Sequence, residues 1–541
     1  MPTKKNTTTS STTRRSGKST TRKTAPVFRT AVSTGEKRMT FKVSGGYRLE
    51  LPDGKGRIQR VTKKRIWRVQ RQESSSAKFA FSLKLDEFSC EDEAQLQLNE
   101  LTELGYETRI HTLGRKLEFG KFVHDNRRYQ VIVGCCGSEE EIEDLQQELK
   151  QYQTEVFRER IEEPTGRFEI FDLEYDKHTM VDNVARLIPE TPESRLTLLK
   201  TQVVSGNSRV EREDLDFSGV IEFRVENGGL MLAINEVELD EYVLSVLAAE
   251  QDGDYPREAL KAKAIAVRSL ALAELSLQHP WDDYDFCAND HCQRYRGVTT
   301  IHDLQEKAVS MTRGRVMLYE KQVAHTWYTT VCGGHLERGV NIFAVPEVKY
   351  LPGMADKSDN ARRRNRVDLT IETNACEWIK SEPSTFCNVT QRKSQQVYEQ
   401  SRRYYRWQEA YQRRELEDVI TRRTGVEIGT LYEIIPIRRG VSGRILELEI
   451  IGSRNNVMVA GDSEIRRVLS NSELLSSCFF IEVEHTDLNE PLNFIIHGAG
   501  HGHGVGMCET GAGTLAVEKG FKFKEILEHY YTGIELKKIY S

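Results

Sequence analysis

Along residues 40–70, "TFKVSGGYRLELPDGKGRIQRVTKKRIWRVQ", apolar and polar positions alternate around Gly-rich turns, and this period of two predicts short strands. The stretch "ESSSA" that follows reads as a linker. Residues 78–160 then carry a rough internal duplication. Each half runs strand, acidic helix start, amphipathic helix, strand, and in "GCCGSEEEIEDLQQELKQ" a Ser before a Glu-rich first turn suits an N-cap and the helix dipole. Further on, 217–250 predicts a hairpin with Asn227-Gly228-Gly229 at its turn, a third strand, and a helix beginning near Asp240. Residues 255–278 form a strong helical pattern, with Pro256 in the first turn and Ala259, Ala262, Ala266 and Ala271 keeping its sides small enough for close packing. Strands recur in 314–331 and 431–452, and 394–423 reads as a charged helix lying mostly on the surface. The pattern as a whole is α+β and multidomain.

At 541 residues the chain is long enough for two to four domains. Its net charge of −5 supplies no global attraction to nucleic acid, and none is expected as a partner. The first 38 residues differ from the rest, with ten Lys/Arg facing a single acid, Glu36, among Ser and Thr. They are expected to form a disordered basic tail or linker. A short β segment over 39–72, the duplicated domain over 76–162 and one large unit over 165–541 complete the expected organisation. No apolar run of signal-peptide length follows the basic start, and no apolar stretch is long enough to span a bilayer. Taken literally, the sequence describes a soluble chain that begins in the cytoplasm. Its ten cysteines are too scattered, in too long a chain, to read as a disulfide framework.

Four stretches hold candidate chemistry. Glu250 ends the apolar run "SVLAAE" where a helix breaks into a turn, a setting in which desolvation raises a carboxyl pKa and keeps it protonated. In "YDFCANDHCQRYRG", Cys287, His291 and Cys292 can converge on one metal, although the spacing is not that of a standard zinc finger and no fourth ligand is evident. A Cys287–Cys292 disulfide and plain buried thiols remain open. "AHTWYTTVCGGHLERG" is a strand closing in paired glycines, with Thr329, Thr330 and His335 as groove candidates. Finally, "HGAGHGHGVGMCETGAG" is no phosphate loop, because no Lys-Ser/Thr follows its glycines. Read as an extended strand, it places His497, His501 and His503 on one face and bare glycine on the other. That pattern suits close backbone packing or a polymer groove better than a metal.

Two resemblances arise from these motifs. "YQVIVGCCGSEEEIEDLQQELKQ" resembles the second half of a SPOR domain, which binds peptidoglycan glycan strands stripped of their peptides. The four chemical stretches, with "YPREALKAKAIAVRSLAL" after Glu250, together resemble the sporulation stage II protein D/amidase-enhancer (SpoIID/LytB) family over about residues 190–541.

This resemblance implies a peptidoglycan lytic transglycosylase that leaves 1,6-anhydro-muramoyl ends, with Glu250 as the catalytic acid and base. It implies that Arg268 holds charge near Glu250, and that Thr329, His335, His501 and His503 line a groove where Gly502, Gly504 and Gly506 let the strand lie close. It also implies zinc on Cys287, His291 and Cys292, an envelope, periplasmic or extracellular location, glycan strands as partner, and a cell-wall amidase as a further one. In place of the family's Gln and aromatic residue after "GHGVGM", this chain has Glu509 and Thr510, an exchange expected to alter sugar contacts. Two rivals stand beside this reading: a non-catalytic glycan-binding activator of an amidase, and a metal-dependent hydrolase built on His497, His501 and His503.

Overall fold

The computed structural model describes residues 25–541, except 52–59, 62–65, 138, 175–177, 206–208, 252–254, 300, 344, 359–361, 363–365 and 391–398. The expected basic tail lies outside the described residues up to position 24. Its last part corrects the expectation, because Val27–Glu36 is a ten-residue strand inside a sheet. The alternation "VFRTAVS" buries Phe28, Thr30, Ala31 and Val32, an apolar content that the basic residues around it obscure.

Nor do the strands after this tail stand alone. Val27–Glu36 pairs antiparallel with Met231–Glu238 and parallel with Phe286–Cys287, and the sheet continues through Val220–Val225, Val184–Pro189 and Tyr47–Glu50. A second sheet runs His178–Asp182, Thr165–Asp172, Ile66–Ser75, Arg38–Ser44, Arg195–Ser205 and Arg209–Phe217. The two share one core, with the rings of Phe41 and Phe223 meeting at 5.4 Å. Residues 27–75 are therefore woven into the larger unit. Register makes this possible: each strand alternates buried and exposed residues, so long-range antiparallel partners bury the same face.

The duplicated segment is inserted between these strands. Its sheet has the order Glu155–Glu162, Lys78–Phe88, Arg128–Cys136, Thr108–Leu113, all antiparallel, and the helices α1 (Glu91–Glu103) and α2 (Glu139–Glu148) close its own core around Leu83, Val131 and Leu101. This is a split βαβ arrangement in which the two sequence halves interleave.

Beyond the sheets, α3 (Leu239–Glu250) leads to α4 (Arg257–Ala273), which is buried from Ala259 to Ala273. Its alanines let α3, α5 (Asp303–Met311) and the helices Glu509–Glu518 and Phe523–Tyr530 all approach closely. A separate core forms within 407–496, around Leu416, Ile420, Leu448 and Phe494. The expected surface helix over 394–423 is corrected here. After a helix at Glu399–Tyr405 the chain becomes a strand, Arg406–Gln412, paired with Pro491–Ala499, and only then the helix Arg413–Thr424. Leu416, Val419 and Ile420 of that helix are buried.

Candidate functional site

Glu250 is the last residue of α3, and its Oε2 lies 2.9 Å from Nζ of Lys263 on α4. The same Nζ lies 2.5 Å from Oε1 of Glu509, at the start of the helix Glu509–Glu518. Lys263 has a side-chain exposure of 0%, Glu509 of 7% and Glu250 of 16%, so of the three only the Glu250 carboxylate reaches appreciably toward solvent. The setting is thus less apolar than the sequence implies, because two carboxylates share one buried cation. Burial raises the Glu509 pKa, opposed by Lys263 and reinforced by the Glu250 charge. For Lys263, burial works against the charged form, but the two glutamates outweigh it and the pKa is raised. Lys263 also stands 5.0 Å over the Tyr328 ring, and Gln293 donates to the Tyr328 hydroxyl at 3.0 Å while accepting from the Tyr242 hydroxyl at 3.1 Å.

The backbone N–H of Arg294 donates to Glu250 Oε1 at 3.3 Å, and this residue is two positions beyond Cys292. The Cys/His loop therefore abuts the acid. Here Cys287, His291 and Cys292 come together as expected, and His279 joins them, with all four donor atoms within 4.8 Å of one another. His279 Nε2 is 3.3 Å from Cys292 Sγ, and His291 Nδ1 is 3.5 Å from Cys292 Sγ and 3.8 Å from Cys287 Sγ. A tetrahedral zinc with bonds of about 2.0–2.3 Å separates its ligands by about 3.3–3.8 Å, so the Cys2His2 set fits that ion. The other nitrogen of His279, Nδ1, is 3.1 Å from Asp282 Oδ2, the outer carboxylate that commonly orients a metal-binding imidazole. The two thiols are not bonded to each other. A recess of about 340 Å³ runs along this loop, lined by His291, Arg294 and Arg296 among others, and Glu250 is not part of its lining.

The glycine-rich stretch is not an extended strand. Gly500, Gly502, Gly504 and Gly506 have φ of 84°, 91°, 77° and 77°, so the chain turns at every second residue and the histidines do not share one face. His497 stacks on Phe480, His501 lies against Tyr404 and His503 against Phe343. These three form no converging set among the described residues, which removes the basis for a hydrolase metal there. The glycines meet the protein itself. A Cβ on Gly504 would stand 2.3 Å from the Arg444 guanidinium, and one on Gly506 1.8 Å from the Trp327 carbonyl oxygen. Of the two expected readings of these glycines, close packing is the one these contacts support. Gly506→Ala is expected to cost about 2–4 kcal/mol through backbone strain and this clash, read as a lowered midpoint of thermal or urea unfolding.

Thr329 belongs to the same packing. Its hydroxyl donates to the His501 carbonyl at 2.9 Å and accepts from the Gly504 N–H at 3.3 Å. His335 Nδ1 pairs with the Leu336 carbonyl at 2.9 Å. Burial pushes His335 and His503 down to about 4, and it does the same to His501 together with the positive charges of Arg466 and Arg294. All three rings are therefore neutral at pH 7. His501, whose buried Nδ1 has no hydrogen-bond partner among the described residues, shares a neighbour, Arg294, with Glu250, and His503 shares Tyr328 with it.

Arg268 requires the clearest correction. It is fully buried and bound to Asp240 Oδ1 through Nε at 2.9 Å and Nη2 at 2.6 Å, with Nη1 donating to the Arg315 carbonyl at 3.1 Å. The charge beside Glu250 comes instead from Lys263, five residues earlier on α4. Arg268→Ala is expected to destabilise the fold by about 3 kcal/mol, since it leaves the buried Asp240 with only the half-exposed Arg313, 3.5 Å away, as counter-charge. Urea unfolding checks this. The two departures near the C-terminus also prove to be interior: Glu509 holds Lys263, and Thr510 is buried with its hydroxyl donating to the Thr330 carbonyl at 3.0 Å.

Lys263 and His279 escaped the sequence analysis. A lysine inside an alanine-rich, all-round apolar helix was the available signal for the first, because such a charge must find a buried partner. His279 lies eight residues before Cys287, beyond any standard ligand spacing, and only the fold of the loop returns it.

With this geometry in place, comparison with known proteins becomes specific. Residues 227–319, which include Glu250, Lys263 and the Cys/His loop, match the family described as Stage II sporulation protein, and residues 337–506 match a domain of unknown function (DUF8618). An uncharacterized protein of Brachyspira hyodysenteriae is 28% identical over 314 residues, covering 57% of this chain and 68% of its own. The match over residues 227–319 implies a cell-wall-related function. More narrowly, residues 227–319 are a SpoIID-family domain, a family associated with cell-wall hydrolytic and lytic activity. Among the described residues, no helix is long and apolar enough to cross a membrane.

Proposed function

We propose that the chain is a lytic transglycosylase acting on peptide-stripped peptidoglycan glycan strands, with Glu250 as its acid and base. The observation that supports this most is the inequality of the two carboxylates. Glu509 is buried behind Lys263, so it cannot present a base or nucleophile to the far face of a sugar, as a two-carboxylate glycosidase requires. One acid then acts twice. Glu250 protonates the glycosidic oxygen as the bond to the anomeric carbon breaks, and the resulting carboxylate takes the proton of the sugar's own C6 hydroxyl as that oxygen closes on the anomeric carbon. Lys263 holds the carboxylate in place between these steps, and the Arg294 N–H fixes its other oxygen. The 76–162 domain supplies a second contact to the same glycan in this reading, and the protein works in the cell envelope.

Mass spectrometry of peptide-free strands after incubation tests the reaction type. Anhydro-ended fragments support it, whereas reducing ends carrying oxygen from water would replace it with hydrolysis.

Zinc on His279, Cys287, His291 and Cys292 fits a closed, four-ligand structural site and would contribute folding energy rather than a step of the reaction. Its removal by chelator is expected to lower Tm by roughly 4 °C, from about 4 kcal/mol at a thousandfold excess over Kd set against an unfolding entropy of about 1 kcal/mol/K for a unit of this size. Activity should fall in parallel and return with zinc, because the loop also carries the Arg294 N–H. Calorimetry and activity assays on the same samples would show this.

A further inference from the structure

We propose a second metal site, specific for a zinc-like divalent ion, formed by Cys332, Asp356, Cys387 and Cys508. The site stands independently of the transglycosylase reading. All four residues are at most 1% exposed, and their donor atoms lie within 4.8 Å of one another. Cys332 Sγ is 3.4 Å from Cys387 Sγ and 3.7 Å from Asp356 Oδ2, close to the edge of about 3.8 Å expected for thiolates on one tetrahedral ion with bonds near 2.3 Å.

The fold builds this convergence from four separate places. Tyr328–Thr329 pairs in parallel with Met507–Cys508, and Cys508 Sγ accepts from the Cys332 N–H at 3.3 Å, which sets two thiols side by side. Asp356 arrives through its N–H on the Gly334 carbonyl at 2.9 Å, and Phe386 binds the Asp356 carbonyl at 2.8 Å, placing Cys387 next in line. The carboxylate is oriented as well. Its Oδ1 accepts from the Tyr530 hydroxyl at 3.2 Å and faces His529 Nε2 at 3.4 Å, while Oδ2 turns toward the thiols. Outer hydrogen bonds of this kind are what a ligating carboxylate needs.

A disulfide accounts for less of this arrangement. Joining Cys332 to Cys387 would leave the Cys508 thiol unused and Asp356 Oδ2, on the side away from His529, turned toward sulfur with no positive partner of its own, an arrangement that a divalent ion relieves. Three thiolates with one carboxylate also form a soft, closed donor set, the kind that selects zinc over calcium or magnesium. The site has a mechanical consequence. Cys332 and Cys508 flank the 337–506 segment that contributes Asp356 and Cys387, so one ion would tie that segment to its borders. Cys508 immediately precedes Glu509, and the ion would therefore also fix the end of the helix that holds Lys263.

The test uses the full chain with zinc(II) as probe. With the loop site disabled by Cys287→Ser and Cys292→Ser, about one equivalent of zinc should remain after dialysis, and adding Cys387→Ser should remove it. In unmodified protein, zinc should slow alkylation of Cys332, Cys387 and Cys508 under mild denaturant by about tenfold or more relative to chelator, and by clearly more than it slows the buried Cys478, which belongs to neither cluster and reports the general loss of stability; this reading does not depend on any variant folding. Equal alkylation rates, or a Cys332–Cys387 disulfide found by mass spectrometry in protein purified under reducing conditions, would overturn the assignment.

Discussion

Glu250→Gln is expected to lower the rate of anhydro-ended product formation by about a thousandfold, within the range of about 10²–10⁴ supplied by a positioned acid or base, while glycan binding persists. The substitution preserves shape and an acceptor for the Arg294 N–H but removes the transferable proton. The fold should survive because Lys263 retains Glu509 as a partner. Loss of turnover with binding intact is therefore a chemical effect, measured by kinetics on purified strands beside a sedimentation binding assay. Unchanged turnover would remove Glu250 from the chemistry. Strands that bind yet stay intact even with the unsubstituted protein would favour the amidase-activator reading.

The second large effect concerns the lysine. Lys263→Met is expected to destabilise the protein by about 3–5 kcal/mol and to abolish activity, because it leaves two partly or fully buried carboxylates facing each other without their cation. The double variant Lys263→Met/Glu509→Gln should recover much of the stability, since one of the two charges is gone. The pH dependence follows from the same groups. Glu509 has a folded pKa raised above its ordinary 4.5, by burial first and then by Glu250, so its contribution favours the folded state at low pH and is lost as pH rises through the raised value. Lys263 is raised from 10.5, and its contribution is complete below that pH and lost only as pH climbs through the folded value. Without the lysine, Glu509 should therefore make the variant progressively less stable from about pH 4.5 toward neutrality, and Glu509→Gln should flatten that slope. Urea unfolding across this pH range distinguishes the outcomes.

The sequence alone determined the elements whose signals are local. Asn227-Gly228-Gly229 turns the Val220–Val225/Met231–Glu238 hairpin, the alanines of α4 define a helix packed on every side, and the acidic helix starts mark both halves of the inserted domain. The motifs also carried the SpoIID resemblance, which the match over residues 227–319 bears out for the two motifs it contains, 232–272 and 284–297. The Cys287/His291/Cys292 loop was visible from its residue types, whereas Glu250, an ordinary residue for a helix end, was singled out by the resemblance. Tertiary structure decided what depended on distant partners. A basic run near the start became a sheet strand because its few apolar residues find a partner in Met231–Glu238 about two hundred positions later. The glycines of 500–506 turn the chain at positive φ instead of extending it as a strand, which no side-chain pattern reveals. Lys263 rather than Arg268 reached Glu250, because on one buried helix the partner of each charge is chosen by the element packed against that face: Asp240 for one, Glu250 and Glu509 for the other.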